Sequence, residues 1–289
     1  MLGIVFAIIS ALFIGLCYYF LKISYKEFKP SVAFLFDATF GLLIWVPLAI
    51  FMGISSGANF GEATIFAVIS AILSEAVVFY ALSHGELAIT TTILSTYPVY
   101  TVILSFFING ESLSFSILAF VVITIIGSVL ATLPNKLKKS EFKLNAAIIW
   151  PFVAAICIGL SDTVSKNYIN RSDDFSFLFM LGFVQIPVAL AYLRVEKQKI
   201  SKAVKNAFHK ITDYKFALLG GLFNIIGTGF LWLSFSFSPA AIASPITGSS
   251  GAVTVLLARL LLKEKITIIK YVGIILAFAG VIGLAILRP

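Results

Sequence analysis

The feature that most constrains this chain is a succession of long apolar segments separated by short polar clusters. A helix needs about 20 mostly apolar residues to cross the hydrocarbon core of a bilayer. Segments of this length can be placed at 2–21, 32–52, 63–82, 87–107, 113–133, 145–164, 175–193, 216–235, 240–262 and 268–287. Because they fill most of the 289 residues, no separate aqueous domain fits. The sequence predicts an all-α integral membrane protein with ten transmembrane helices.

The charged residues support this class and predict an orientation. They make up 12% of the chain, against roughly 25% in soluble domains. The net charge of +8 comes from residues spread over the loops, without a basic domain, so no nucleic-acid partner is expected. Alternating the loops across the membrane places 18 of the 21 Lys and Arg residues on one side, and Lys166, Arg171 and Arg288 on the side of both termini. The positive-inside rule then predicts a multi-pass protein of the cell membrane with both termini outside.

An internal repeat relates the two halves of the chain. The stretch 14–16, Ile-Gly-Leu, recurs at 158–160, an offset of 144. At an offset of 153, the matching pairs are Ser83 and Ser236, Thr101 and Thr254, Glu111 and Glu264, and Gly127 and Gly280. Constant offsets over successive helices predict two five-helix repeats, residues 1–140 and 141–289. Five is odd, so the second repeat enters the membrane from the opposite side, and such inverted repeats enclose a central cavity.

These residues resemble the EamA-like drug/metabolite transporter superfamily. The resemblance is carried by the ten spans, by the Ile-Gly-Leu stretch followed by Lys22 or Lys166, and by a Glu after the fourth helix of each repeat that precedes a Gly-containing fifth helix. It covers essentially the whole chain. It implies that helices 1 to 4 and 6 to 9 line the cavity and that helices 5 and 10 are peripheral. It specifies substrate poorly, since the superfamily moves amino acids, amines, sugars and nucleotide sugars.

Acidic residues inside the apolar spans are the first candidates for a site. A charge at a helix centre costs about 3 kcal/mol even on a lenient insertion scale, so it usually faces a cavity or a partner. Glu75 lies near the middle of the third span, whereas Asp37 and Asp162 are predicted closer to span ends.

The repeat places Glu75 in a stripe that has a counterpart in the other half. At an offset of 153, Ala71, Glu75 and Phe79 correspond to Asn224, Thr228 and Trp232. Residues spaced i, i+4 and i+8 share one helix face, so two cavity walls are predicted to present these side chains. A carboxylate with aromatic rings suits an organic cation, and the carboxylate could instead bind a coupling proton. The alternative is that Glu75 pairs with a buried polar group and the aromatic residues only pack.

Further residues extend the candidate site. Second-tier candidates for the lining are Tyr18, Tyr80, Tyr97 and Gln185. Candidate gating positions are Pro98, Pro245, Gly248 and Gly251, because proline loosens a helix and glycine permits close approach.

Polar residues near the span ends are assigned structural roles. Lys22 and Lys166 are expected to be interfacial anchors, and Glu111 and Glu264 to support turns between helices. The long loop 194–215 has apolar residues at helical spacing among lysines and predicts a helix on the membrane surface.

The predicted function is secondary active transport of small polar metabolites, namely amines, other organic cations or amino acids, by alternating access with proton coupling or exchange. No Walker A pattern is present, which argues against ATP-driven transport, and neither HExxH nor GxSxG points to an enzyme. The alternatives are a channel, a lipid scramblase or an intramembrane enzyme. No metal and no cofactor are expected. The expected partners are a small-molecule substrate and membrane lipid, in a monomer or homodimer.

Overall fold

The computed structural model describes residues 1–24, 29–84, 87–134, 146–198, 211–261, 263 and 266–287, and within them ten helices are long and apolar enough to cross a membrane. They are α1 (Leu2–Ser24), α2 (Pro30–Met52), α3 (Phe60–Ser70, Ala71–Ala76 and Val77–His84), α4 (Leu87–Leu94 and Tyr97–Asn109), α5 (Phe115–Thr132), α6 (Ala146–Arg171), α7 (Asp174–Val195), α8 (Ile211–Phe235), α9 (Ala240–Gly248 and Ser250–Leu261) and α10 (Ile268–Leu287). The all-α, ten-helix prediction is therefore confirmed. Glu264, Arg288 and most of the predicted surface helix lie outside the described residues.

Local sequence signals set several helix ends. α2 begins with Pro30, whose fixed φ suits the first turn of a helix. The side chain of Asn59 accepts a hydrogen bond from Glu62 N at 3.1 Å and caps α3. α4 ends at Asn109 and is followed by Gly110, whose φ of +65° lies in the left-handed region that favours glycine.

One predicted helix end is wrong by seven residues, at residue 164 instead of 171. The apolar pattern placed the end of the sixth span at residue 164, but α6 continues to Arg171 through Ser165 and Lys166. Both of these polar side chains are buried by neighbouring helices, so the helix remains inside the protein where the sequence turns polar. Asp162 consequently lies well within α6 rather than near its end.

Three of the helices are irregular. The Ala71–Ala76 segment of α3 is a π-helical turn. α4 is interrupted between Leu94 and Tyr97, and α9 is interrupted at Ser249. Such interruptions inside a membrane helix are tolerated where protein rather than lipid surrounds them, and π turns occur frequently at functional sites.

The helices pair in a symmetric pattern: replacing each helix by its counterpart in the other half gives the same set of pairs. α1 packs along α8 and α3 along α6; α2 packs on α7, and α5 on α10. α4 contacts α6 as α9 contacts α1, and α4 also crosses α9. An inverted repeat predicts this pairing.

Close contacts at glycines exchange in the same way. A Cβ atom built on Gly15 would lie 2.7 Å from Val253, and one on Gly159 would lie 2.6 Å from Tyr100. Gly15 corresponds to Gly159 at the offset of 144, and Tyr100 to Val253 at 153, so the two contacts are one contact repeated.

The contact between α5 and α10 is repeated in the same way. A Cβ on Gly127 would collide with the backbone of Ala277, and one on Gly280 would collide with Thr124. At the offset of 153, Gly127 corresponds to Gly280 and Thr124 to Ala277, so each pair is the counterpart of the other. The pairing and the glycine contacts support the inverted repeat, and the superposition of the two halves remains a prediction.

Candidate functional site

A central cavity of about 50 Å³ lies between α1, α3, α4, α6, α8 and α9. The predicted site residues that line it are Tyr18, Glu75, Phe79, Tyr97, Asp162, Asn224, Thr228 and Trp232. They come from both halves of the chain. α2 and α7, which were expected to line the cavity, pack on each other and contribute none of the described lining residues.

The amide of Asn224 bridges two carboxyl groups. Its Nδ2 atom donates to Asp37 Oδ1 at 2.9 Å and to Glu75 Oε2 at 3.0 Å. Asp37 is fully buried and Glu75 is 4% exposed. Glu75 lines the cavity, while Asp37 reaches it through Asn224. We call Asp37 and Glu75 the carboxyl pair.

The π turn of α3 positions Glu75. Within Ala71–Ala76 the extra residue per turn bulges the backbone, and the turn contains both Ser74 and Glu75, which line the cavity. On the opposite wall, Thr228 Oγ1 donates to Asn224 O at 2.7 Å along α8. The Thr228 hydroxyl proton is therefore used within its own helix, and the carboxyl pair receives its donor from Asn224.

Asp162 forms a second acidic centre, in α6, with different partners. Its Oδ2 atom accepts hydrogen bonds from Ser244 Oγ of α9 at 2.5 Å and from Thr101 Oγ1 of α4 at 3.4 Å. Its Oδ1 atom is buried and has no hydrogen-bond partner among the described residues. Tyr97 OH donates to the backbone oxygen of Ser244 at 3.0 Å and further joins α4 to α9 beside Asp162.

Aromatic rings form part of the cavity wall. Trp232 is 1% exposed and packs edge-on against Phe177 and Phe235, with ring centroids 5.3 and 5.5 Å away. Its Nε1 atom is buried and unpaired within the part of the chain that the structure describes. Phe79 packs on Phe34, at 5.4 Å between centroids. The wall thus combines ring surface with one indole donor.

Two predicted lining residues lie elsewhere. Tyr80 stacks on His84 at 4.0 Å between ring centroids and contacts Trp150, near the end of α3. Gln185 is buried between α7 and α2, where its side chain abuts Gly41. Both predictions came from the residue type alone.

The predicted gating residues meet where α4 crosses α9. A Cβ on Gly248 would lie 2.6 Å from Pro98 Cγ, and one on Gly251 would lie 2.8 Å from Ser95 Oγ. At the offset of 153, Ser95 corresponds to Gly248 and Pro98 to Gly251, so these two contacts also exchange. Pro245 lies within the first segment of α9, next to Ser244 of the Asp162 centre.

Two charged residues, Glu111 and Lys166, hold helix ends on the side of the termini. Glu111 accepts hydrogen bonds from Ala240 N and Ala241 N, each at 2.9 Å, at the first turn of α9. A carboxylate there satisfies free amide groups and complements the helix dipole. Lys166 donates to the carbonyl of Phe235, the last residue of α8, and is 7% exposed. It is a buried helix cap rather than the expected interfacial anchor.

Sequence reasoning missed the partners of Asp162. Thr101 carried one signal, since it matches Thr254 in the repeat, but that match does not show which acid it contacts. Ser244 gave no signal of its own, because a serine in a membrane helix is more often a packing residue. Among the described residues, no group of three or more His, Cys, Asp or Glu side chains is arranged to hold a metal ion.

Comparisons with known proteins agree with this architecture. A sequence model of the EamA-like transporter family matches residues 1–133 and 145–286. An uncharacterized protein of Methanocaldococcus jannaschii is 27% identical over 146 residues, which cover 50% of this chain and 98% of that protein. The crystal structure of another protein superposes on this chain with a TM-score of 0.77 at 12% identity, over 99% of this chain and 96% of the other. At that identity the structural likeness speaks for the fold alone.

Proposed function

The chain belongs to the EamA-like transporter family and is a multi-pass membrane transporter of the drug/metabolite type, and from this premise we propose that it is a proton-coupled secondary transporter of amine-containing metabolites. The family is a family of transporters rather than of enzymes. The proposed substrates are small organic cations, amines or amino acids, moved by alternating access across the cell membrane.

The observation that carries the proton coupling is the amide bridge across the carboxyl pair. Two carboxylates within hydrogen-bond reach of one nitrogen repel each other strongly in surroundings of low dielectric constant. Binding one proton relieves this repulsion, and losing it restores the repulsion. Because Glu75 also lines the cavity, substrate binding and proton binding take place at contiguous groups.

The class of substrate follows from what the cavity presents. Its lining contains two acids, Glu75 and Asp162, and no Lys or Arg among the described lining residues. The rings of Tyr18, Tyr97 and Trp232 add surfaces that attract cations without hydrogen bonds. An anionic substrate would have to approach two buried acids without a positive partner, whereas a cationic substrate neutralises them.

The alternating-access proposal is supported by the glycine contacts that occur twice. The α4 and α9 crossing, the α1 to α9 and α6 to α4 contacts, and the α5 to α10 contact each exchange under the repeat offsets. Exchanging the conformations of two such halves converts a cavity open to one side into one open to the other.

Proteoliposomes containing the purified protein and an internal pH indicator test the proposal. An imposed gradient of an amine or amino acid is expected to move protons across the membrane, whereas sugars and nucleotides are not. Preloading the vesicles with unlabelled substrate should accelerate the uptake of labelled substrate. A channel or a lipid scramblase would show no such acceleration, and proton movement driven only by sugars or nucleotides would overturn the proposal.

A further inference from the structure

The two acidic centres of the cavity differ in what already satisfies them. Each of the two carboxyl groups of the carboxyl pair receives a hydrogen bond from the same amide, that of Asn224. Asp162 receives hydroxyl hydrogens from α4 and α9, and all of them go to its Oδ2 atom. The centres therefore have no donor in common.

The Oδ1 atom of Asp162 is an acceptor placed for a ligand. The side chain is 1% exposed and lines the cavity, and Oδ1 has no partner in the described ranges. Leaving a buried acceptor without a donor costs more free energy than an ordinary hydrogen bond contributes to stability. An N–H group that enters the cavity would remove this penalty, and a positively charged one would form a charge-assisted bond.

The size of the cavity and the free acceptor favour one kind of cation. A volume of about 50 Å³ accommodates only a few groups the size of a water molecule, since each needs about 10–15 Å³. An ammonium group is of that size. A quaternary ammonium is larger and has no N–H to offer Oδ1.

Resting on the transport function proposed above, we propose that Asp162 is the subsite for the cationic group of the substrate and that this group is a protonated primary or secondary amine. The carboxyl pair is a separate centre for the coupling proton. The N–H of the amine donates to Asp162 Oδ1, and the rings of Tyr18, Tyr97 and Trp232 lie around the same cavity. Ser244 and Thr101 hold Oδ2 and thereby orient Oδ1, so they are positioning residues.

This division of roles follows from the hydrogen bonds. Glu75 and Asp37 share the amide of Asn224, and one proton bound by these two neighbouring acids relieves their mutual repulsion. Asp37 Oδ2 also lacks a donor among the described residues, but Asp37 does not line the cavity. At Asp162 the ligand displaces no donor from Oδ1. Because Asp162 also ties α4 to α9, an amine bound there contacts the group that joins the two interrupted helices.

Binding of labelled ethylammonium to the purified full-length protein, measured by equilibrium dialysis near neutral pH, tests the proposal. Asp162→Asn removes the charge and is expected to weaken binding about 10- to 100-fold, the range for a hydrogen bond to a charged group. Glu75→Gln is expected to weaken binding less than Asp162→Asn does, because Glu75 lines the same cavity without holding the amine, and to lose substrate-driven proton movement. Asp174→Asn is the matched control, since Asp174 is also buried in a membrane helix but accepts from Ser236 outside the cavity, and binding should not change.

A second measurement needs no substitution. Tetramethylammonium should compete with ethylammonium at least about tenfold more weakly than unlabelled ethylammonium does, since it lacks the N–H donor. Equal competition by the two cations would overturn the subsite, even if Asp162→Asn does not fold. So would retained binding in Asp162→Asn together with lost binding in Glu75→Gln.

The subsite and the transport function fail separately. If ethylammonium does not bind but another amine or an amino acid drives proton movement, the subsite is wrong and the transport function stands. If ethylammonium binds with the expected dependence on Asp162 and no compound moves protons, the subsite is supported and the proton coupling is wrong.

Discussion

Nδ2 of Asn224 lies 3.0 Å from Oε2 of Glu75, a contact between α8 and the π turn of α3. It joins the two repeat halves at the cavity, and it links residues that the repeat offset had placed on corresponding helix faces. The same nitrogen contacts Asp37. The site is therefore organised around one amide between two acids, and the first two predictions address that arrangement.

Glu75→Gln should abolish proton coupling while leaving the protein folded. The glutamine keeps the shape of the side chain but cannot exchange a proton, so substrate-driven proton movement is expected to fall at least about tenfold, as for a removed proton-transfer group. The measurement is the change in internal pH of proteoliposomes. Glu62→Gln is the control on the same helix, because Glu62 pairs with Arg171 at a partly exposed position, where an ion pair contributes little. Normal coupling in Glu75→Gln at every pH would show that the proton binds elsewhere.

Asn224→Ala should destabilise the protein more than either acid-to-amide change. It removes the donor of two buried acceptors at once, and each unsatisfied acceptor costs about 1–3 kcal/mol. We expect a lower midpoint of thermal unfolding in detergent, and partial recovery when Asp37→Asn is added, because the two positions share a hydrogen bond and are not additive. A midpoint unchanged from that of the unmodified protein would mean that the bridge contributes no stability.

The sequence predicted the helices and one wall of the site because both depend on periodic patterns. Glu75 and Trp232 were found since the offset relates their stripes, and both line the cavity. Asp162 was placed near a span end because hydropathy cannot detect that Ser165 and Lys166 are buried by other helices. The predicted end of the sixth span therefore made Asp162 look less deeply placed in the membrane than it is.

What the sequence could not supply is the partner of each polar group. The bridge from Asn224 to Asp37 joins residues 187 positions apart, and no spacing rule reports it. The π turn that positions Glu75 has no residue pattern of its own, since Ala, Ile and Leu also form ordinary helix. Tyr80 and Gln185 were proposed from chemistry alone, and they lie beside His84 and Gly41, outside the cavity lining.

Trp232→Ala should weaken cation binding by about 1–2 kcal/mol, the contribution of an aromatic face to a largely desolvated cation. Trp232→Phe keeps a ring face and should recover most of this loss. Trp150→Ala is the control, because Trp150 lies beside Tyr80 and is 36% exposed. Equilibrium dialysis with ethylammonium measures all three variants. Equal effects of the alanine variants at Trp232 and Trp150 would show that the indole acts through general packing.

Gly248→Ala and Gly251→Ala should destabilise the protein by similar amounts. The added methyl group would meet Pro98 at Gly248, and Ser95 together with Thr132 of α5 at Gly251. Overpacking of this kind costs about 1–3 kcal/mol. Gly57→Ala is the control in the loop between α2 and α3, where an added methyl comes no closer than 3.9 Å to another residue. Thermal unfolding measures the three variants. Opposite effects at Gly248 and Gly251 would argue against a symmetric crossing.

Both termini should lie outside the cell. The charge bias places 18 of 21 Lys and Arg residues on the opposite side, and two of the three that share the terminus side are engaged within the protein. Lys166 donates to the carbonyl of Phe235, and Arg171 lies 2.7 Å from Glu62. A membrane-impermeant maleimide should label Gly57→Cys in intact cells and should label Lys197→Cys only after the membrane is opened, in a background that lacks Cys17 and Cys157. Labelling with the opposite dependence would place both termini in the cytoplasm.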